Sequence, residues 1–281
     1  MIYLITCTSF YSNWGDVAID VATALYLDKR KIPYTIINEF STPIDIHESD
    51  TILIRGGGYL GLYNGWPEKF IKSWLFTKAY NKILLPSSLY FDVDTSTVDD
   101  IRDLHLNICA RDHCSYETYS HFFVNSRVWY VPDMALLLPR VDLAPPTTEY
   151  GVIARGTERK HNLSKFPYQQ DTYVNRYDWK FADIPYMFHY LYQFLKHISQ
   201  YEYIITDSLH CCLFSYLCKR KCFAFNNKYG KVFNTLTDYK LSNIYMVNQL
   251  TDITPIKYNN DVCNLDYSAL SDILNTDWIA G

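Results

Sequence analysis

The segment Tyr203–Lys231 carries the most constraining pattern of the chain, a strand, a turn, a helix, a second strand and a polar loop. Its first four residues are aromatic or β-branched, which is typical of a buried strand. Asp207 and Ser208 then supply turn and N-cap side chains for an apolar helix with His210 at its start. This order predicts an α/β unit that places a titratable histidine at the carboxyl end of a strand, where ligands bind in open α/β sheets.

Strands and helices alternate in the same way along the rest of the chain. Predicted strands that run into glycine or polar residues are Met1–Cys7, Thr51–Ile54, Leu106–Ala110 and Tyr150–Ala154. The proline-rich segment Pro139–Thr148 is the predicted linker. We therefore predict an α/β fold of two Rossmann-like domains that face a cleft, with residues 1–140 in one domain and residues 149–281 in the other.

Composition limits the functional classes. The 281 residues carry a formal net charge of -4, which argues against a general nucleic-acid binder. The 26 tyrosines suit either contacts with sugar rings or ordinary packing. The eight cysteines lack the spacing of a metal site and favour a reducing compartment, so we expect no metal and no cofactor. The sequence predicts neither a signal peptide nor a membrane span, so we expect a cytoplasmic protein, and peripheral association with a membrane stays open.

Several residues of the first half follow predicted strands, and each has two interpretations. Asn13 and Asp16 either face a ligand or serve as turn and N-cap residues. Gly56–Gly58 either lets backbone N–H groups approach an anion or forms a tight turn. Arg111 either holds an anion or forms a structural pair with Asp112.

The second half carries the densest cluster of basic side chains that follows a predicted strand. Arg155 begins this cluster, and it either binds a carboxylate or phosphate in a bidentate manner or lies in a solvated loop. His210 either transfers a proton or is a buried helix-start residue bonded to a carbonyl. The polar loop that ends at Lys231 adds amide, phenol and ammonium groups to the same end of the predicted sheet.

Six short motifs lie in order between residues 13 and 231. They are N-W-G-D at Asn13–Asp16, G-G-G-Y-L at Gly56–Leu60, A-R-D-H-C-S at Ala110–Ser115, P-D-M-A-L-L-L at Pro132–Leu138, T-D-S-L-H at Thr206–His210 and N-N-K-Y-G-K at Asn226–Lys231. Their content and order resemble the polysaccharide pyruvyl transferase family. The resemblance implies a GT-B-like fold with the acceptor at the first domain and the donor at the second. It also implies transfer of pyruvate from phosphoenolpyruvate to two hydroxyls of a sugar, as a cyclic ketal, in exopolysaccharide biosynthesis.

With this reaction in view, individual residues receive predicted roles. His210 would be the general acid/base, Arg155 would hold the donor anion, and Asp16 joins them as a catalytic residue. The predicted substrate-binding residues are Asn13, Gly56, Gly57, Gly58, Arg111, Ser208, Asn227, Tyr229 and Lys231. Ser208 and Cys211 stand where many members of the family carry arginine and glycine. Arg155 is therefore expected to provide more of the positive charge that binds the donor anion.

The predicted partners are phosphoenolpyruvate and a glycan or lipid-linked sugar acceptor, without nucleic acid. Two alternatives stay open. A nucleotide-sugar-dependent, GT-B-like glycosyltransferase would use the same glycine loop and helix N-termini for a diphosphate. A catalytically inactive glycan-binding relative is also compatible with the sequence, because Ser208 replaces the arginine of the family motif.

Overall fold

The computed structural model of the chain describes residues 1–7, 14–60, 66–89, 99–140, 144–154, 168–170, 183–227, 230–248 and 265–275, without the side chains of 66–68, 168–170 and 275. The chain divides into two compact units. Unit 1 comprises Met1–Phe10, Thr23–Met134 and Leu265–Gly281, and unit 2 comprises Tyr11–Ala22 and Ala135–Asn264.

Unit 1 is built on a six-stranded sheet in which every pairing is parallel. Its strands are β1 (Ile2–Ile5), β2 (Thr35–Ile37), β3 (Thr51–Ile54), β4 (Asn81–Ser87), β5 (Asn107–Ala110) and β6 (Arg127–Tyr130). They lie in the order β2-β1-β3-β4-β5-β6. The chain order reverses between β1 and β3, and the carboxyl ends of all strands meet at one edge because the sheet is parallel.

Unit 2 repeats this arrangement with a five-stranded parallel sheet. Its strands are β7 (Thr148–Ala154), β8 (Tyr168–Gln170), β9 (Tyr201–Thr206), β10 (Lys221–Phe225) and β11 (Ile244–Val247). Their order is β11-β10-β9-β7-β8, so the reversal in this sheet lies between β7 and β9. The predicted α/β fold with alternating strands and helices is confirmed.

Seven helices are described along the chain, besides the short 3-10 helices Trp74–Phe76 and Met134–Leu137. They are α1 (Trp14–Lys29), α2 (Trp66–Ser73), α3 (His113–Phe122), α4 (Ile184–Ser199), α5 (Leu209–Leu217), α6 (Lys231–Tyr239) and α7 (Ser268–Asn275). All nine residues of α5 are buried, as its apolar sequence requires. None of the helices in the described ranges is both long and apolar enough to cross a membrane.

Helix α1 begins earlier than the sequence predicts. A turn or N-cap role for Asp16 would place this residue before the helix, whereas Gly15 and Asp16 both lie in the first turn of α1. Asp16 is half-buried there, and its negative charge suits the positive end of the helix dipole. The first turns of α1 belong to unit 2, and its residues from Thr23 onwards belong to unit 1.

The two units also have other boundaries than the predicted domains, which meet at a single division between residues 140 and 149. The C-terminal residues 265–281 belong to unit 1. Tyr267 donates a hydrogen bond to the Asp133 carbonyl at 2.7 Å, and Ser271 accepts one from Arg30 Nη1 at 2.7 Å. Leu270 and Ile273 of α7 are buried, so this helix is packed into the unit.

A buried polar network follows β4 and β5 in unit 1. Arg111 Nη1 lies 2.9 Å from Asp133 Oδ2, and Arg111 Nε donates to Ser88 Oγ at 2.7 Å. Ser88 Oγ donates to Asp112 Oδ2 at 2.6 Å. Asp112 also caps α3, because its Oδ1 accepts from the backbone N–H of Ser115 at 2.7 Å. The ion pair of Arg111 is thus formed with Asp133, and Asp112 serves as an N-cap.

Candidate active site

The point where chain order reverses in the sheet of unit 2 carries the motif T-D-S-L-H. Ile153 of β7 and Ala224 of β10 both pair with Thr206, the last residue of β9. The carboxyl ends of these three strands therefore lie side by side, and this is the place where an open parallel sheet binds its ligands.

Asp207 and Ser208 lead directly from β9 into α5. Ser208 is the N-cap residue in an extended conformation, and its backbone N–H donates to Thr206 Oγ1 at 3.0 Å. His210 lies in the first turn of the helix with 9% of its surface exposed. The first turn of a helix presents N–H groups and partial positive charge, so His210 lies beside a favourable environment for an anion.

The imidazole of His210 lies against the first turn of α1. A Cβ atom placed on Gly15 would be 2.0 Å from Nδ1, 2.3 Å from Cγ and 2.7 Å from Cε1 of His210. No side chain fits at such distances, so residue 15 must be glycine for this histidine position. The motifs N-W-G-D and T-D-S-L-H, about 195 residues apart in sequence, thus meet within unit 2.

Aromatic rings surround the same contact. Trp14 stacks on Phe194 of α4, with ring centroids 5.0 Å apart and an interplanar angle of 15°. Phe194 meets Phe214 edge to face at 6.0 Å, and Phe214 lies 6.3 Å from His210. These rings connect the starts of α1 and α5 through α4.

A second helix N-terminus follows β10, the neighbour of β9. Asn226 Oδ1 accepts from the backbone N–H of Phe233 at 3.3 Å, and Gly230 takes the left-handed conformation with φ 79° before α6. Lys231 is the first residue of α6 and is only 5% exposed. The start of α6 therefore combines a buried lysine with the N–H groups and partial positive charge of a first helical turn.

Three polar residues beyond β9 and β10 are buried, since Asn227 is 1% exposed, Asp207 1% and Ser208 2%. Two cysteines in and beside α5, Cys212 and Cys218, are poorly suited to form a thiolate. Burial raises the pKa of Cys212, and the neighbouring Cys222 raises it further. Burial likewise raises the pKa of Cys218 to about 12. The imidazole of His210 is the candidate for proton transfer in α5.

The glycine run of unit 1 extends the pairing of β3 with β4. The backbone N–H of Gly57 donates to the Pro86 carbonyl at 3.1 Å, and its carbonyl accepts from Ser88 N at 2.9 Å. A Cβ on Gly56 would lie 2.2 Å from the same Pro86 oxygen, and Gly57 has φ 129°. Close packing against the backbone explains the glycine at position 56, and the positive φ explains the glycine at position 57. Their predicted contact with a substrate stays a prediction.

The structure brings together some of the predicted site residues. Ser208 and His210 lie together in unit 2, and Asp16 follows Gly15, which packs against His210. Asn227 and Lys231 follow the adjacent strand. Gly56, Gly57, Gly58 and Arg111 belong to unit 1. Asn13, Arg155 and Tyr229 lie outside the described residues.

Sequence reasoning missed the contact of Gly15 with His210 and the aromatic rings beside it. The available signal was the glycine between Trp14 and Asp16, at a position where a helix start needs no glycine. A glycine inside the first turn of a helix indicates close approach of another group, as observed here.

Comparisons with known proteins assign the chain to a family. The model of the polysaccharide pyruvyl transferase family matches residues 2–229. General stress protein 30 of Bacillus subtilis is 30% identical over 263 residues, which cover 82% of this chain and 75% of that protein. The crystal structure of a functionally uncharacterised Klebsiella pneumoniae protein has a similar fold, with a TM-score of 0.65 and 17% identity over 88% of this chain and 93% of the other. The family match spans both motifs that meet at His210, and the chain belongs to the polysaccharide pyruvyl transferase family.

Proposed function

We propose that the protein transfers pyruvate from phosphoenolpyruvate to two hydroxyls of one sugar in a glycan or lipid-linked acceptor. The product is a cyclic ketal, and the phosphate is released. The observation that carries this proposal is the position of His210 in the first turn of α5, with buried Lys231 starting the helix after the adjacent strand. A proton donor and an anion site are the two requirements of this reaction.

The donor carries a carboxylate and a phosphate. Lys231 and the N–H groups at the starts of α5 and α6 would bind one of these anions. Arg155 follows Ala154, the last residue of β7, and would bind the other in a bidentate manner. Because Ser208 stands where many members of the family carry arginine, Arg155 and Lys231 together provide the positive charge in this proposal.

The reaction needs one proton at the vinyl carbon of the donor. His210 would donate that proton, which converts the methylene into a methyl group and makes the adjacent carbon electrophilic. A first sugar hydroxyl attacks this carbon and loses its proton to a base. The bond from carbon to the phosphate oxygen then breaks, and a second hydroxyl closes the ketal as its proton leaves. Arg155 and Lys231 would stabilise the charge on the departing phosphate.

The remaining substrate contacts are assigned by their place in the chain. Asn13 and Asp16 belong to the motif that meets His210, and we assign them to the acceptor side, with Asp16 as the candidate base. Ser208, Asn227 and Tyr229 accompany the donor-binding helix starts. The proposal includes a GT-B-like pair of domains and a cytoplasmic reaction, with peripheral membrane contact where the acceptor is lipid-linked.

Thermal unfolding with candidate donors tests the donor assignment. A ligand that binds only the native state raises the midpoint by mass action. Phosphoenolpyruvate should raise the midpoint of the wild-type protein, and the shift should disappear in Arg155→Ala. A shift with UDP- or GDP-sugars alone would instead support the glycosyltransferase. Binding of a glycan without phosphate release would support a catalytically inactive relative.

A further inference from the structure

We infer that Gly15 is a positioning residue for His210, and that the N-W-G-D motif serves the reaction by fixing the plane of the imidazole. The inference rests on the proposed acid/base role of His210. It assigns to Gly15 a function that a turn or helix-capping residue does not have.

The geometry shows how the ring is held. The missing Cβ of Gly15 would lie 2.0 Å from Nδ1 but also within 2.3 Å of Cγ and 2.7 Å of Cε1. A point this near to three consecutive ring atoms lies over the face of the ring. Gly15 therefore packs against one face of the imidazole. This contact does not cover the edge of the ring, where the nitrogen atoms exchange protons.

A histidine needs such a contact, because rotation about the bond between Cβ and the ring is broad and only weakly restricted. Proton transfer requires a ring nitrogen within hydrogen-bond reach of the reacting atom. The flat surface of a glycine against the ring face restricts that rotation without blocking the perimeter. An alanine at position 15 would displace the ring.

The first turn of α1 is itself held in place. Trp14 stacks on Phe194, Phe194 meets Phe214 edge to face, and Phe214 lies beside His210. With Gly15 these residues form a closed series of contacts that joins α1, α4 and α5. Movement of the start of α1 would therefore be transmitted to the imidazole.

Gly15→Ala tests the inference, with Gly151→Ala as the matched control. A Cβ on Gly151 would lie 2.6 Å from the ring of Tyr201, so the control also forces an alanine against a ring in unit 2. Gly151 pairs with Ile204, inside the sheet and before the end of β9. We expect kcat of Gly15→Ala to fall about 100-fold with little change in the KM for phosphoenolpyruvate, because small displacements of a reacting group have effects of this size. Gly151→Ala should lower the unfolding midpoint but keep kcat.

The same substitution in a His210→Ala background tests the contact without any assay of activity. Gly15→Ala should lower the unfolding midpoint of the wild-type protein. The loss should disappear when the imidazole is absent, because the atoms that the new methyl group meets are gone. An equal loss in both backgrounds would overturn the contact. A loss confined to the wild type together with unchanged kcat would overturn the positioning role.

Phe214→Leu provides a second route if Gly15→Ala fails to fold, with Phe223→Leu as its control in the same unit. The first change loosens the aromatic support of His210, and the second alters the core around Tyr203. We expect the His210 Cε1–H NMR signal to move and kcat to fall in Phe214→Leu alone. Equal effects of both changes would contradict the inference. Full activity of His210→Ala would refute the proposed acid/base role of His210 and leave the contact of Gly15 with His210 standing.

Discussion

Arg111 and Asp133 form an ion pair inside unit 1, with 2.9 Å between Nη1 and Oδ2 and with both side chains at most 1% exposed. The pair joins two of the sequence motifs, A-R-D-H-C-S and P-D-M-A-L-L-L, at the carboxyl ends of β5 and β6. Ser88 and Asp112 extend it into a network that also caps α3. These motifs therefore have a structural function, whatever else they do.

Asp133→Ala should lower the free energy of unfolding by about 3–5 kcal/mol, because it removes the carboxylate that pairs with the buried guanidinium of Arg111. Urea denaturation measures this. The control is Lys78→Ala, which breaks the exposed pair of Lys78 with Asp45 at 3.2 Å. Exposed pairs are worth about 0–1 kcal/mol, so the control should be nearly neutral.

A double replacement, Arg111→Met with Asp133→Leu, distinguishes the cost of one buried charge without its partner from the contribution of the whole ion pair. Removal of both charges should cost less than Asp133→Ala alone, since no unpaired charge remains. A double variant that is less stable than the single variant would show that the network contributes more than charge compensation.

Much of the fold could be predicted from local sequence. Runs of β-branched and aromatic residues such as Thr51–Ile54 and Tyr203–Thr206 are buried parallel strands, because such side chains suit a sheet covered on both faces. The partner of Arg111 could not be predicted, since Asp133 lies 22 residues away. The adjacent Asp112 is occupied as an N-cap, and only tertiary packing decides between the two acids.

Gly56→Ala should destabilise unit 1 by about 1–3 kcal/mol, because its new methyl group would meet the Pro86 carbonyl oxygen, a backbone atom that moves only with its strand. A methyl carbon at this position would lie 2.2 Å from that oxygen. The midpoint of urea denaturation measures this loss. Wild-type stability combined with a raised KM would instead support the predicted contact of this glycine with a substrate.

Lys231→Met should abolish the stabilisation of the protein by phosphoenolpyruvate. A ligand at about 100 times its Kd adds about 2.7 kcal/mol to the free energy of unfolding, so the loss is measurable as a thermal shift. Lys240→Met is the control, because Lys240 is exposed at the C-cap of the same helix. Equal donor stabilisation of both variants would remove Lys231 from the anion site.

His197 should make stability depend on pH. Burial lowers the pKa of His197, so the unfolded chain binds a proton at higher pH than the folded one. The neutral form of His197 therefore contributes its full share to the stability of the folded protein above about pH 6.5. This contribution decreases progressively as the pH falls below that value. Thermal midpoints of the wild type and His197→Gln, measured from about pH 8 to about pH 5.5, should show a steeper acid loss in the wild type. Parallel curves would contradict this assignment.

The candidate site could be predicted only in part. His210 and Lys231 were recognisable because a strand, a polar turn and a helix follow one another in their segments. Gly15 gave a weaker signal, since a glycine near a helix start is also a common turn residue. Its contact with His210 arises from two segments about 195 residues apart, and no local pattern records such an approach.

The most direct test of the account is a transfer assay with purified protein, phosphoenolpyruvate and a panel of glycans and lipid-linked sugars. Inorganic phosphate and ketal-modified acceptor should form in equal amounts. His210→Gln should reduce both by at least about 100-fold, as expected for loss of a general acid. Its fold is checked by an unchanged circular dichroism spectrum. Near-full turnover in His210→Gln, or phosphate release without ketal, would contradict the account.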